Sequence, residues 1–303
     1  MAATTSAQRY AASGANFTPT THSTTYDYIS PLHLDLTGKS VVITGAAYEN
    51  GIGYATATAF ARAGASFIAL ADIKPVPEPL ISNLKTAAVQ TGRTEPQILA
   101  CTVNITSLSS VQAFHDNVTQ ALDGKPIDIL INNAAAMEPA QRLLDSDPET
   151  YWRTWEVNVR GLMNMSRIFL PSLLSSPTKI MLNLSSSGAL SARSAGASYR
   201  CSKLAILRWT ESLQLEYGGE GLLTFCVNPG SVRTELSRGI GEGARAGLRD
   251  QPGMAGNTIV WLAGERREWL GGRYVSCAWD MEELVGMEEE IVREDKLKLR
   301  MVF

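Results

Sequence analysis

Residues 40–64 read SVVITGAAYENGIGYATATAFARAG, and the order of residue types in this stretch decides the fold. The β-branched run SVVIT predicts a strand that is buried on both faces. Gly45 then allows a tight turn, and an alanine-rich helix is predicted over residues 51–64, where a C-terminal glycine closes it. A strand, a glycine-rich turn and a helix in this order begin an alternating α/β fold.

The same alternation continues along the chain. Further strands are predicted at residues 66–72, 97–103, 127–131, 179–184 and 222–227, and further helices at about 80–91, 107–122, 149–174 and 196–217. Nearly continuous apolar strands separated by helices indicate a parallel sheet that is covered on both faces. Right-handed crossovers wind such a sheet into the doubly wound, Rossmann-like arrangement.

Three segments are predicted from these patterns. Residues 1–36 are rich in Thr, Ser and Ala and lack periodicity, so we expect a flexible or loosely docked extension and not a domain. Residues 37–280 are expected to form a single Rossmann-like domain. Residues 281–303 begin as an acidic helix and end in a period-two pattern, which predicts an extended segment that packs on the domain or on a partner subunit.

Composition argues against several classes of function. A net charge of −3 over 303 residues predicts neither a nucleic-acid surface nor a basic membrane patch. No apolar run approaches the ~18 residues that cross a bilayer. The four cysteines are widely spaced and have no C-x-x-C pair, so we expect neither a metal site nor a disulfide framework. With no apolar leader at the N-terminus, a cytoplasmic protein is expected.

The loop after the first strand predicts a dinucleotide site, because ligands of doubly wound sheets bind beyond the carboxyl ends of the strands. The glycines of Gly51-Ile52-Gly53 allow a pyrophosphate to approach the N-terminus of the first helix closely. Asp72 ends the second strand, where a carboxylate can accept hydrogen bonds from ribose hydroxyls and repel a 2′-phosphate. This favours NAD(H), but Lys74 could partner such a phosphate, so NADP(H) stays possible.

Tyr199 and Lys203 form a candidate catalytic pair. They lie four residues apart on a predicted helix and therefore share one face. An ammonium near a phenol favours the phenolate, so we expect Lys203 to lower the tyrosine pKa toward the range of a general acid/base. Ser186 precedes Tyr199 by thirteen residues, directly after the fifth strand.

Together these motifs resemble the short-chain dehydrogenase/reductase family over roughly residues 37–278. The matching motifs are TGAAYENGIG at 44–53, NNAA at 132–135, Asn158 in the long helix, SSS at 185–187, YRCSK at 199–203 and NPGSVRT at 228–234. The resemblance implies a seven-stranded sheet in the order 3-2-1-4-5-6-7. It also implies a homodimer or homotetramer that pairs through the helices at 149–174 and 196–217.

The resemblance implies a role for each matching residue. Tyr199 would be the acid/base, Ser186 would polarise the substrate oxygen, Lys203 would hold the nicotinamide ribose, and Asn158 would organise a proton relay. Cofactor contacts would come from the phosphate loop, the strand ends and the segment after the sixth strand: Gly45, Gly51, Ile52, Gly53, Asp72, Asn104, Ile105, Asn133, Ala134, Tyr199, Lys203, Pro229, Gly230, Val232 and Thr234.

The sequence departs from the family pattern at two places. The phosphate loop is two residues longer than usual, and RYVSCAWD stands at 273–280 instead of aspartate-glycine-glycine. The second feature resembles fungal members, many of which act in secondary metabolism. Residues 136–150 and 231–256 are expected to select the substrate. Arg238, Arg245 and Arg249 in the second segment could meet an acidic group or lie in a solvated loop.

The implied function is NAD(P)-dependent interconversion of a small-molecule ketone and a secondary alcohol. Two alternatives stay open. One is cofactor-assisted chemistry without net redox, such as isomerisation, dehydration or cyclisation. The other is a non-catalytic regulator that senses the cofactor.

Overall fold

Seven parallel strands form the single sheet in a computed structural model that describes residues 13–301. Their order is β3-β2-β1-β4-β5-β6-β7, which confirms the predicted order. The strands are β1 (Ser40–Thr44), β2 (Phe67–Asp72), β3 (Gln97–Thr102), β4 (Ile129–Asn132), β5 (Ile180–Leu184), β6 (Leu223–Asn228) and β7 (Tyr274–Ser276).

Helices cover both faces of this sheet. They are α1 (Ile52–Arg62), α2 (Glu78–Gln90), α3 (Leu108–Ala121), α4 (Pro148–Trp155), α5 (Leu162–Ser175), α6 (Ala197–Tyr217), α7 (Glu242–Arg245), α8 (Pro252–Gly264), α9 (Met281–Gly286) and α10 (Glu288–Arg293). None of the helices within residues 13–301 has the length and apolar character that a bilayer crossing requires.

Strand β1 is continuously apolar because its alternate residues pack on opposite faces of the sheet. Val41 and Ile43 pack into one buried cluster, and Val42 packs into a second cluster on the opposite face. Side chains of a strand alternate between its two faces, so a strand covered on both sides needs an apolar residue at every position. The prediction of a doubly wound sheet rests on this pattern and is confirmed.

The predicted long helix at 149–174 is interrupted. A π-helical turn, Glu156–Gly161, joins α4 to α5. A π turn holds one extra residue per turn and is often found at functional sites. Asn158 lies in this turn and is buried.

Residues 13–36 pack against the domain, which corrects the expectation of a flexible extension for this part of the chain. Ile29 is fully buried, and Phe17 stacks obliquely against Trp279 with ring centroids 5.0 Å apart. The indole Nε1–H of Trp279 also donates to the Gly14 carbonyl over 2.8 Å. Burial of these aromatic groups offsets the entropy cost of ordering a segment without periodicity. Residues 1–12 lie outside the described part.

The C-terminal tail also differs from its prediction. Helices α9 and α10 are present, but the following residues form no strand, and Asp295 and Leu297 have φ angles of 48° and 63°. The carbonyl of Leu297 accepts a hydrogen bond from the backbone N–H of Tyr274 over 2.8 Å. The tail therefore provides a hydrogen-bond acceptor for a backbone N–H on the exposed edge of β7. The residues that make this contact form a turn and not a strand.

Candidate active site

The phosphate loop is shaped by glycines that cannot be replaced without clashes. Gly45 has a φ of +74°, and a Cβ there would lie 2.8 Å from Ala134 Cα. A Cβ on Gly53 would lie 2.3 Å from the Gly45 carbonyl oxygen. Helix α1 therefore begins in close contact with the end of β1, with its first N–H groups directed at the space above the sheet.

Asp72 links the end of β2 to this loop. One carboxylate oxygen accepts from the Ala47 N–H at 3.0 Å and the other from the Lys74 N–H at 3.1 Å. The side chain is nearly buried and lines the cavity beside Gly45. It therefore shapes the loop and also places a negative charge where a ribose is expected.

Asn133 and Ala134 connect β4 to β1. The Asn133 side-chain amide donates to the carbonyls of Thr44 at 2.7 Å and Gly45 at 3.0 Å. The Ala134 N–H donates to the Thr44 hydroxyl over 3.0 Å. These bonds hold two strand ends together and form the floor of the cavity.

The remaining predicted cofactor residues lie on either side of this floor. Asn104 and Ile105 follow β3, and the Asn104 amide oxygen accepts from the backbone and the hydroxyl of Thr106. On the other side, the segment after β6 lines the cavity with Pro229, Gly230, Val232 and Thr234.

Ser186, Tyr199 and Lys203 lie at the other end of the same cavity, whose volume is about 610 Å³. Ser186 follows β5, and Tyr199 and Lys203 lie in the first two turns of α6. The Lys203 ammonium lies 5.8 Å from the centroid of the Tyr199 ring and donates to the Leu184 carbonyl over 2.8 Å. Three residues that are separated in the sequence thus form one cluster.

The pKa values of this cluster are set mainly by burial. Burial is the largest influence on Tyr199 and raises its pKa to about 12, while a hydrogen bond with Ser186 acts downward and the charge of Glu138 acts upward. Burial also lowers the pKa of Lys203 to about 8. The structure thus differs from the expectation of a lowered tyrosine pKa, because shielding from water outweighs the hydrogen bond with Ser186.

Asn158 lies behind the cavity and does not line it. Its side-chain oxygen accepts from the Ala136 N–H at 2.8 Å, and its amide nitrogen donates to the Ala136 carbonyl at 3.0 Å and to the Ser202 hydroxyl at 2.9 Å. Asn158 therefore ties the segment after β4 to helix α6. Its role in a proton relay stays a prediction.

Glu138 is a residue of this site that sequence reasoning did not single out. Its side chain is almost completely buried, and both carboxylate oxygens lie 3.1 Å from the Tyr199 N–H. Helix α6 has no capping side chain of its own at Gly196, so Glu138 supplies an acceptor for one of the free N–H groups. Only its place in the segment 136–150 could have drawn attention to it.

Nearly all of the predicted residues therefore surround one cavity. Gly53 and Asn158 are the exceptions, because Gly53 packs under the loop and Asn158 lies behind the wall. The cavity runs from the glycine loop and Asp72 to Ser186 and Tyr199. It can hold an elongated ligand with one end at a helix N-terminus and the other end beside a phenol, an alcohol and an amine.

Comparison with protein families agrees with this geometry. The family model described as short chain dehydrogenase matches residues 39–245. The short chain dehydrogenase citE of Monascus ruber is 39% identical over 282 residues, which cover 93% of this chain and 95% of that protein. The short chain dehydrogenase andI of Emericella variicolor is 35% identical over 274 residues, covering 90% and 93%.

Solved structures share the fold at low sequence identity. Carveol dehydrogenase from Mycobacterium avium in complex with NAD has a TM-score of 0.69 at 17% identity, covering 80% of this chain and 97% of that one. The 3-ketoacyl-(acyl-carrier-protein) reductase from Brucella melitensis complexed with NADH has a TM-score of 0.68 at 24% identity, with the same coverage of both chains.

Proposed function

This chain belongs to the short chain dehydrogenase family of oxidoreductases, and from that premise we propose that it interconverts a ketone and a secondary alcohol with a nicotinamide cofactor. The observation that carries the proposal is the shared cavity. Ser186, Tyr199 and Lys203 surround one end, and the glycine loop and Asp72 surround the other. A hydride donor held along this cavity would have its reactive end beside the phenol.

The residues of the nucleotide end fit such a cofactor. The close packing of Gly53 on Gly45 leaves the N-terminus of α1 open to an anion, which the partial positive charge there stabilises. We propose that Asp72 accepts hydrogen bonds from a ribose and that its charge disfavours a 2′-phosphate, so that NAD(H) is preferred. The exposed Lys74 ammonium over the Tyr48 ring leaves NADP(H) as the second candidate.

At the reacting end, this chain's residues handle the proton. A bound reduced nicotinamide supplies hydride to the carbonyl carbon. Tyr199, whose pKa near 12 keeps it protonated at neutral pH, gives its proton to the carbonyl oxygen. Ser186 hydrogen-bonds the same oxygen and orients it. Lys203 holds the ribose and compensates the phenolate that the proton transfer leaves behind.

We place the substrate among fungal secondary metabolites. The support is the fungal source of the similar proteins and the RYVSCAWD segment at 273–280, which resembles fungal members of the family. The cavity is bounded on the substrate side by the segments after β4 and β6. Because residues of the segments 136–150 and 231–256 line this side of the cavity, we propose that these segments select the substrate.

We also propose that the protein forms a homodimer or homotetramer through α4, α5 and α6. Three large apolar side chains on these helices are exposed, namely Trp152 (60%), Met163 (39%) and Leu215 (78%). Exposed apolar groups on neighbouring helices are typical of a surface that another chain covers.

The variant Tyr199→Phe tests the redox proposal. Turnover should fall ~10²–10⁴-fold, because a general acid/base is lost, while NADH binding stays within a few-fold of the wild type. Tyr217→Phe, at the other end of the same helix, is the matched control. Turnover is followed at the absorbance band of reduced nicotinamide across a panel of ketones and secondary alcohols, and NADH and NADPH are compared by titration.

Three results would contradict the proposal. Turnover near the wild-type rate in Tyr199→Phe would show that Tyr199 is not the general acid/base. Tight cofactor binding without turnover across the panel would favour a cofactor-sensing regulator. Product formation without net consumption of cofactor would favour isomerisation, dehydration or cyclisation.

A further inference from the structure

Three arginines line the cavity near its reacting end. They are Arg153 on α4, Arg193 in the loop before α6 and Arg200 on α6. Arg200 follows Tyr199 directly, and its side chain crosses the loop after Ser186. A Cβ built on Gly188 would lie 3.2 Å from the Ser186 hydroxyl oxygen and 3.5 Å from Arg200 Cγ. The stem of Arg200 therefore lies beside the catalytic serine.

These arginines lack the carboxylate partners that neighbouring arginines have. Arg238 pairs with Glu235 at 2.9 Å, and Arg245 lies 3.7 Å from Glu242. In contrast, within residues 13–301 no acidic side chain forms an ion pair with Arg153, Arg193 or Arg200. Arg200 makes only a long contact, 3.4 Å, with the carbonyl of Ser194.

The acid nearest to Arg200 is already engaged. Glu138 uses both carboxylate oxygens on the Tyr199 N–H. Burial first, and then the neighbouring charge of Arg193, hold the pKa of Arg200 below its usual value, and Glu138 only partly opposes this. The reacting end of the cavity therefore has more positive than negative side chains facing it.

A second pocket borders the cavity at two of these arginines. A shallower pocket of about 220 Å³ shares Gly188, Ser191, Arg193 and Arg200 with it and extends to Cys201. Arg193 and Arg200 thus lie at the boundary between the two spaces. A substrate whose carbonyl reaches Ser186 and Tyr199 would pass the two guanidinium groups with the rest of its structure.

We propose that Arg193 and Arg200, with Arg153 at the rim, bind a carboxylate of the substrate, so that the enzyme acts on keto acids or hydroxy acids. This deepens the redox proposal above and rests on it for the position of the carbonyl. A planar guanidinium pairs with a carboxylate through two parallel hydrogen bonds, so the pair would fix the orientation of the substrate as well as attract it. Arg238, Arg245 and Arg249 in the segment 231–256 do not line the cavity, so they do not carry this role.

The test compares acids with their methyl esters, which differ in charge and little else. Suitable pairs are levulinate with methyl levulinate and 4-acetylbenzoate with methyl 4-acetylbenzoate. Binding is measured by titration on protein saturated with NAD⁺, so that the glycine loop is not free to take the anion. At low ionic strength the acid should bind about tenfold more tightly than its ester. Added salt should weaken the binding of the acid and leave the binding of the ester unchanged.

The double variant Arg193→Gln/Arg200→Met should bring the acid-to-ester ratio close to one. Arg160→Gln is the control, because Arg160 is exposed on the π-helical turn and does not line the cavity. Equal binding of acid and ester by the wild type would overturn the inference, as would a preference that survives the double variant. Arginine-dependent binding of acids without reduction of any ketone would support the anion site and contradict the redox proposal.

Discussion

The side chain of Glu138 has two effects on Tyr199. It caps the N-terminus of α6 through the Tyr199 N–H, and its charge raises the pKa of the same tyrosine. A carboxylate at a helix N-terminus is stabilised by the helix dipole, which explains why the group can be buried in this position. It therefore acts on the reaction through Tyr199 and is a positioning residue.

The variant Glu138→Gln should shift the pH profile of alcohol oxidation to lower pH. Glutamine keeps an acceptor for the Tyr199 N–H but removes the charge, so the phenolate forms more readily. Because the pKa of Tyr199 is raised, the rate of alcohol oxidation increases with pH as the phenolate forms. Without the charge of Glu138 this pKa is raised less, so the rate increases at lower pH.

The profile is measured with a secondary alcohol that the wild type oxidises. Glu149→Gln, an exposed acid in the first turn of α4, is the control and should leave the profile unchanged. If Glu138 has only a structural role, the variant should have lower activity and an unchanged pH profile. That result would contradict an effect of the Glu138 charge on Tyr199.

At the scale of elements, the contact between α1 and the end of β1 sets the position of the helix N-terminus where we propose that a nucleotide binds. This contact is possible only because Gly53 and Gly45 have no side chains. Helix α8 crosses α1 in the same way, since a Cβ on Gly256 would lie 2.5 Å from the Ala55 carbonyl oxygen. Gly53 of α1 and Gly256 of α8 therefore allow α1 to pack closely on two sides.

The variant Gly53→Ala should lower both stability and NADH affinity. A Cβ at 2.3 Å from the Gly45 carbonyl oxygen forces α1 away from the sheet. Overpacking of this kind typically costs ~1–3 kcal/mol of unfolding free energy. Urea unfolding and NADH titration measure the two effects.

Gly286→Ala provides the comparison, because an added Cβ there meets no atom within 4 Å. This variant should unfold at the wild-type urea concentration or slightly above it. Wild-type NADH affinity in Gly53→Ala would show that the loop tolerates the displaced helix.

For the whole molecule, the segments outside the sheet domain meet each other. Trp279, just before α9, is buried against Phe17, and Asp280 pairs with His22 over 2.8 Å. At the other end of the tail, Arg300 pairs with Glu211 on α6 over 2.8 Å. In the tail itself, the Glu283 carboxylate accepts from the backbone N–H of Thr20 over 2.8 Å and from its hydroxyl over 2.7 Å. The tail therefore connects residues 13–36 with the back of α6.

The exposed apolar side chains of α4, α5 and α6 predict association. We expect sedimentation velocity to give a dimer or tetramer for the wild type and mainly monomer for Leu215→Glu, because a buried unpaired charge disrupts an apolar interface. Val89→Glu, which changes a similarly exposed side chain on α2, should leave the mass unchanged. A monomeric wild type at micromolar concentration would contradict the expectation.

Much of the fold could be predicted because its signals are local. The β-branched run at 40–44 and the alanine-rich helix after it have periodicities that report burial directly. The grouping of Gly45, Asp72 and Ser186 followed from strand ends that meet at one edge of a parallel sheet. The pairing of Ser186 with Tyr199 came from the family resemblance. The π-helical turn at Asn158 and the missing strand in the tail were not predictable, since neither breaks the local pattern of apolar residues.

The sequence by itself determined the layered fold and the spacing of Tyr199 and Lys203, because each depends on residues close together in the chain. It also determined the family, through the order of several motifs that are each short and local. Only the tertiary structure decided that Glu138 is buried, that Arg200 forms no ion pair with an acidic side chain within residues 13–301, and that residues 13–36 pack on the domain. The physical reason is that burial and charge pairing depend on groups far apart in the sequence. Glu138 reaches Tyr199 across sixty-one residues, and Trp279 reaches Gly14 across 265.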